Sequence, residues 1–223
     1  MISSRKLSDE GILVSLWLVC GMDKEAVVNL VRQLKPTDHV VMFYEYPEDK
    51  YRVLFEYLKA GLDSQEAVAY VAGVDETPSQ VRMLLEKRGV DVDACEAKGM
   101  LQVMSYRDWY LVDGEFNVQR TITLWAGLLS DALAEGFKGL RVAGDVTWFF
   151  ECGMKDELLE YENRLHRVLD VPLTAICAYS LPVLMEQNEA QLVVDLIKAH
   201  NNVIFLGAQA GLVKAEAISN LTP

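Results

Sequence analysis

No glycine-rich phosphate loop, no CxxC pair, no G-x-S-x-G elbow and no cluster of lysines or arginines occurs in these 223 residues. Each absence removes a class of function. A tightly held nucleoside triphosphate needs backbone N–H groups brought close by glycines, followed by Lys and Ser or Thr. A dithiol redox centre or a zinc finger needs paired cysteines, and the four present (Cys20, Cys95, Cys152, Cys177) are scattered, as in a reduced cytoplasmic protein. A serine hydrolase of the α/β type needs the strained elbow. A formal net charge of −12 with no compensating basic cluster argues against direct contact with nucleic acid or an anionic membrane. The apolar run at residues 12–19, ILVSLWLV, falls far short of the roughly 20 residues of a membrane span. It follows a charged segment and not a cleavable leader, so it reads as a buried element, strand or helix.

What remains is an ordinary globular composition, 51% hydrophobic and 24% charged. Its organising stretch is His39 to Gly73. Here a buried strand (His39–Tyr44), a turn (Glu45–Lys50), a helix (Tyr51–Ala60) and a second buried strand (Ala67–Ala72) form a βαβ unit. The turn, Glu-Tyr-Pro-Glu-Asp-Lys, holds three carboxylates, one lysine and no glycine. Ligands of parallel sheets sit at the carboxyl ends of strands, which makes this turn the first place to look for chemistry.

The same alternation continues along the chain. Asp23 caps a helix ended by Pro36; Thr77-Pro78-Ser79-Gln80 is a capping box opening a helix that Gly89 closes. Residues 91–99 read as a surface loop, 100–106 as a strand and 107–115 as a loop. Asn117 caps a long helix closed by Gly136. Then follow a strand at 140–143, a helix at 155–169 with Leu158, Tyr161, Leu165 and Leu169 inward, a strand at 173–179, a helix at 182–200 and a strand at 202–206. The tail from Ala208 reads as a short helix. Together these predict an α/β three-layer sandwich with a mostly parallel sheet. No repeat or linker divides it: residues 1–36 form a helical extension on or near the core, and 37–223 one domain.

Site residues are weighed against core filling. Phe43, Tyr44, Trp148 and Tyr179 follow strands, in the company of polar groups, as in a small and mostly apolar pocket. The helix acids Glu157, Glu160 and Glu162 read mainly as a solvated face. His39, His166 and His200 stand at no metal-ligand spacing. His39 reads as a structural histidine or a ligand contact, His166 as solvated, and His200 as a charge that suits a helix C-terminus. Cys177 within its strand reads as a small buried hydrophobe. A zinc site built from His39 with Cys177 is the lesser alternative; no metal and no cofactor are expected.

HVVMFYE, the helix ending KAGL and QEAVAYVAG resemble the opening of the MEDS domain, the methanogen/methylotroph, dichloromethane-regulator sensory domain. GLRVAGDVTW resembles its R-x-x-G-[ED]-x-x-W segment, YENRLH its Y-E-x-x-L-N, ICAYS its C-x-Y-[DS] and AHNNVI its H-P-x-V-I. The match runs in consistent order over roughly residues 37–206. It implies a degenerate RecA/KaiC-like fold without a phosphate-binding loop, and a non-enzymatic sensor of simple hydrocarbon derivatives or one-carbon compounds. On this resemblance the ligand-binding residues are His39, Phe43, Tyr44, Glu45, Arg141, Asp145, Trp148, Glu162, Cys177 and Tyr179. Ligand would bind at the C-terminal edge of the sheet. Departures stand at Asp145 (more often Glu), His166 (more often Asn), Ala178 (polar in the family) and Asn201 (Pro in the family), and these bear on ligand identity more than on fold. No kinase motif or basic helix-turn-helix pattern is present, so a separate signalling partner, a kinase or transcription regulator, is expected, with a stand-alone binder as the alternative, and a homodimer by analogy. The rival readings are a divergent ATPase or phosphotransferase using Lys50 and Asp145, and an oligomeric assembly protein with a vestigial site.

Overall fold

The computed structural model describes residues 2–7, 13–168, 171–187, 189–200 and 202–217. The strands are β1 (Ile2–Leu7), β2 (Leu13–Met22), β3 (His39–Tyr44), β4 (Ala67–Ala72), β5 (Leu101–Ser105), β6 (Leu111–Val112), β7 (Glu115–Phe116), β8 (Leu140–Asp145), β9 (Leu173–Ser180), β10 (Asn202–Leu206) and β11 (Ala210–Ala217). The helices are α1 (Lys24–Arg32), α2 (Pro47–Asp63), α3 (Pro78–Glu86), α4 (Val92–Ala97), α5 (Tyr106–Tyr110), α6 (Val118–Ala134), α7 (Trp148–Glu151), α8 (Lys155–Val168), α9 (Leu181–Glu186) and α10 (Ala190–Ala199). Nine strands make one sheet in the order β1-β2-β11-β10-β3-β9-β8-β4-β5, and β6 pairs with β7 apart from it. From β10 to β5 all neighbours run parallel, while β11, β2 and β1 extend the sheet antiparallel.

The parallel strands are buried on both faces, so they read as continuous apolar runs and not as alternation. Every residue of β3, β4 and β8 is buried. Alternate residues nonetheless go to opposite sides. Val41 and Phe43 join the core under α6, α8 and α10, while Val40, Met42 and Tyr44 join the core under α1, α2 and α3. This is the three-layer α/β sandwich with a mostly parallel sheet that the sequence predicts.

The helix that follows β3 lies on one face, and the helices that follow β8 and β9 lie on the other. The chain therefore changes face between β3 and its neighbours β9 and β8, a topological switch point. Close packing there relies on small residues. A Cβ at Gly61 of α2 would lie 2.8 Å from Arg141 Cδ, and one at Gly144 of β8 would lie 2.9 Å from the Val71 carbonyl oxygen.

Several expectations are corrected. The helical extension expected over residues 1–36 is helical only in α1; β1 and β2 are strands, and β2 pairs with β11. Of the run at 12–19, Leu13 onward is strand, and Ile12 lies outside the described residues. The tail expected as a helix is β11, because the alanine-rich sequence pairs on both edges with β10 and β2. Residues 91–99 contain α4, capped by Asp91, whose Oδ1 accepts from Ala94 N at 3.1 Å. The loop at 107–115 holds the rest of α5 and the β6–β7 hairpin, and the helix at 182–200 is two helices, α9 and α10. Leu169 and Asn201 lie outside the described residues, as does the His166 side chain.

Candidate functional site

Two buried polar clusters occupy opposite faces of the sheet around the switch point. The first grows from Lys50. Pro47 opens α2 and Glu48 and Asp49 fill its first turn, as suits the positive end of a helix. A lysine in that turn opposes the dipole and needs anionic partners. Lys50 Nζ donates to Glu76 Oε1 at 2.5 Å and to Asp145 Oδ2 at 2.9 Å, and all three side chains are buried. Asp145, at the end of β8, also accepts from Tyr44 OH at 2.5 Å and from Thr147 N at 3.0 Å. Glu76 accepts from Tyr70 OH at 3.1 Å and from Gly73 N at 3.1 Å. The ammonium lies 5.1 Å and 4.8 Å from the centroids of the Tyr44 and Tyr51 rings.

Burial alone would raise the Asp145 carboxyl, yet the Lys50 ammonium and the bonds from Thr147 and Tyr44 hold it below the ordinary carboxylate range. Burial would likewise lower Lys50, but Asp145, Tyr70 and Glu76 drive it well upward. Burial and Asp145 raise the Tyr44 phenol. The cluster is thus an ammonium bridging two carboxylates, with hydroxyls closing their remaining lone pairs.

The second cluster lies under α8. Leu158, Tyr161, Glu162 and Leu165 share one face of that helix and all are buried. Glu162 Oε2 sits 3.2 Å from His39 Nε2 and 3.4 Å from His200 Nε2, with all three side chains fully buried. Its other oxygen, Oε1, accepts from Tyr179 OH. His39 Nε2 is also 3.5 Å from Cys177 Sγ, and the two imidazoles lie 4.2 Å apart. Burial works to raise the Glu162 carboxyl, but His200 and His39 outweigh it and hold it well below its usual range. Burial, with Glu162 beside it, pushes the Cys177 thiol well upward.

The ten residues singled out from sequence therefore fall in different places. Tyr44 and Asp145 belong to the Lys50 cluster; His39, Glu162, Cys177 and Tyr179 form the second. Phe43 stacks on Phe205 at 5.2 Å, with Tyr179 5.8 Å away, and Trp148 stacks on Phe149 at 3.8 Å. These rings fill core. Glu45 is exposed, and its Oε2 accepts from Ala208 N at 3.2 Å. Arg141 is four residues before Asp145 on β8, roughly 13 Å away along the strand. It clamps the other end of the sheet, donating to Glu66 Oε2 at 2.5 Å and to the Leu34 carbonyl at 3.3 Å. An apolar cavity of about 380 Å³ lies elsewhere, between α6 and α8, lined by Trp125, Leu129 and Leu165 among others.

The sequence reading missed Tyr70 and Glu76 as partners of Lys50, and His200 as a partner of Glu162. From its helix alone Glu162 read mainly as solvated, although the family resemblance named it a ligand contact. A signal was present: Glu162 stands four residues after Leu158 and three before Leu165, on the apolar stripe.

Residues 38–201 match the family described as the methanogen/methylotroph, DcmR sensory domain, MEDS. The chain belongs to the MEDS family. No curated protein matches it. The MEDS match takes in every member of both clusters, and assigns the chain a sensory role. Among the described residues, no helix is long and apolar enough to cross a membrane.

Proposed function

We propose that this chain binds a small organic molecule at the C-terminal edge of its sheet and reports occupancy to a separate partner protein, a kinase or transcription regulator, in the cytoplasm. It catalyses no reaction. The observation that carries this reading is the Lys50–Asp145–Glu76 network at the switch point, where α/β folds take their ligands. The network places convergent polar groups, Lys50 and Asp145 among them with shifted acidities, beside the Tyr44 and Tyr51 rings, the chemistry of a small-molecule site. A ligand that offers Lys50 an oxygen or competes for Asp145 would loosen the first turn of α2. That shifts the population of two arrangements of residues 45–50, which a partner reads.

A nucleotide is the weaker reading. Lys50 is committed to two carboxylates, and three acids surround a place that would have to welcome phosphate.

Hydrogen exchange with a panel of short alcohols, methylated amines and halomethanes tests the proposal. At least one compound should change protection in residues 45–50 or 107–115, with Mg-ATP giving no stabilisation. No change with any compound, or stabilisation by Mg-ATP, overturns it.

A further inference from the structure

The apolar cavity between α6 and α8 has no part in that reading. It opens beside Leu173, which begins β9 and pairs with Leu140, the first residue of β8. Asp145 ends β8 at the far end of that strand, about 17 Å away. The cavity therefore lies at the opposite end of the sheet from the Lys50 cluster.

α6 builds most of its wall. Along that helix Ile122, Trp125, Leu129 and Leu133 recur at spacings of three and four, which sets them on one side. Leu165 of α8 and Val171 complete the enclosure. The floor is interior: Trp125, Leu129, Leu165 and Leu173 are buried. The rim is not, with Leu133 43% and Val171 40% exposed. The space thus has depth, about 380 Å³ of it, and is not a flat face. Among the described residues Ser130 is the only polar one in the wall, and no charged side chain lines it, in a chain of which 24% is charged. The Trp125 indole N–H is spent inward on Tyr161 OH at 2.9 Å, so its ring offers the cavity only apolar surface.

Water is a poor occupant of such a space. A held water needs about 2–4 polar partners, and here one hydroxyl is on offer. Left unfilled, the lining forfeits its dispersion contacts on one side. An apolar molecule restores them and displaces no hydrogen bond. Size narrows the class further. An apolar cavity of about 150 Å³ holds one benzene ring, so this one has room for two fused rings, and a one-carbon compound would touch only part of its wall.

We propose that the α6–α8 cavity is a second binding site, for a neutral, apolar molecule of two fused rings. Its occupant rests on Trp125, whose ring lies 4.5 Å from that of Trp109 in α5. Filling the cavity steadies α6, α8 and, through the paired indoles, residues 106–110.

Calorimetric titration of the full chain with naphthalene and with tetralin, followed by hydrogen exchange, tests the site. The expected result is one molecule per chain, a negative heat-capacity change and an unfolding midpoint that rises with probe concentration. Protection should increase in residues 118–134 and 155–165 and stay unchanged in 45–50. Ala126 and Ser130 line the cavity from exposed positions of α6, where substitution leaves the core intact. A126W, which fills the space, should abolish binding, and S130D, which sets a charge in the wall, should weaken it about tenfold or more. No uptake of either probe by the wild type overturns the proposal. Binding that both variants leave unchanged overturns it too, as does protection confined to residues 45–50, which would move the probe to the Lys50 site. A chain that self-associates, and that S130D renders monomeric, also overturns it: the face is then a contact between subunits.

Discussion

Lys50 concentrates the physics of the first cluster. Replacing it with methionine keeps the volume and removes the only cation bonded to Glu76 and Asp145 among the described residues. Two carboxylates are then left buried side by side. Breaking a buried pair in this way costs about 3–5 kcal/mol, so K50M should lower the urea midpoint accordingly without changing the denaturant slope. Asp145 supplies a pH signature. Its pKa in the fold lies below that in the unfolded chain, so its contribution is full above about pH 4 and is lost as pH falls below that value. Wild-type stability should therefore drop with acid in this window, and the drop should be shallower for D145N; equal slopes would show that Asp145 is not so held. At this scale the sequence was only half legible. Asp145 could be seen at a strand end, but Lys50, expected in a turn, lies in α2, which begins at Pro47 and not at Tyr51. Glu76 becomes their partner only because β4 and β8 are neighbours, a pairing no local pattern encodes. Arg141 illustrates the reverse. Lying in one short motif with Asp145, it works at the other end of the strand on Glu66.

Elements were the most legible level. The runs read at 39–44, 67–72, 140–143, 173–179 and 202–206 fall within β3, β4, β8, β9 and β10, because burial on both faces writes itself as unbroken hydrophobicity. The capping box at Thr77 also stands, with Gln80 N donating to Thr77 Oγ1 at 3.2 Å and Thr77 N to Gln80 Oε1 at 2.9 Å. Where tertiary pairing decides, the reading failed: β11 has the composition of a helix, but both of its edges are taken by strands. Fit between elements can be probed at Gly144. An alanine methyl there would meet the backbone oxygen of Val71 at 2.9 Å, and no side chain can rotate away to make room. G144A should therefore cost about 1–3 kcal/mol by chemical denaturation, with amide exchange quickening first along β4 and β8. An unaltered midpoint would mean that the two strands separate freely.

Across the whole molecule, the central strand β3 is clasped between segments that come late in the chain. Val41 is flanked by Cys177 of β9 on one side and Val203 of β10 on the other. Time is the consequence. Synthesis delivers β3 early, yet none of its backbone groups finds its ladder partner until most of the protein has been made, and such distant pairings slow folding. Refolding from urea should accordingly run in the range of about milliseconds to seconds and not microseconds. Nascent chains halted before residue 173 should leave the β3 amides open to exchange and the apolar stretch VVMFY available to other chains. A cell making this protein would thus need to shelter one short strand, from its emergence until β9 and β10 arrive to enclose it.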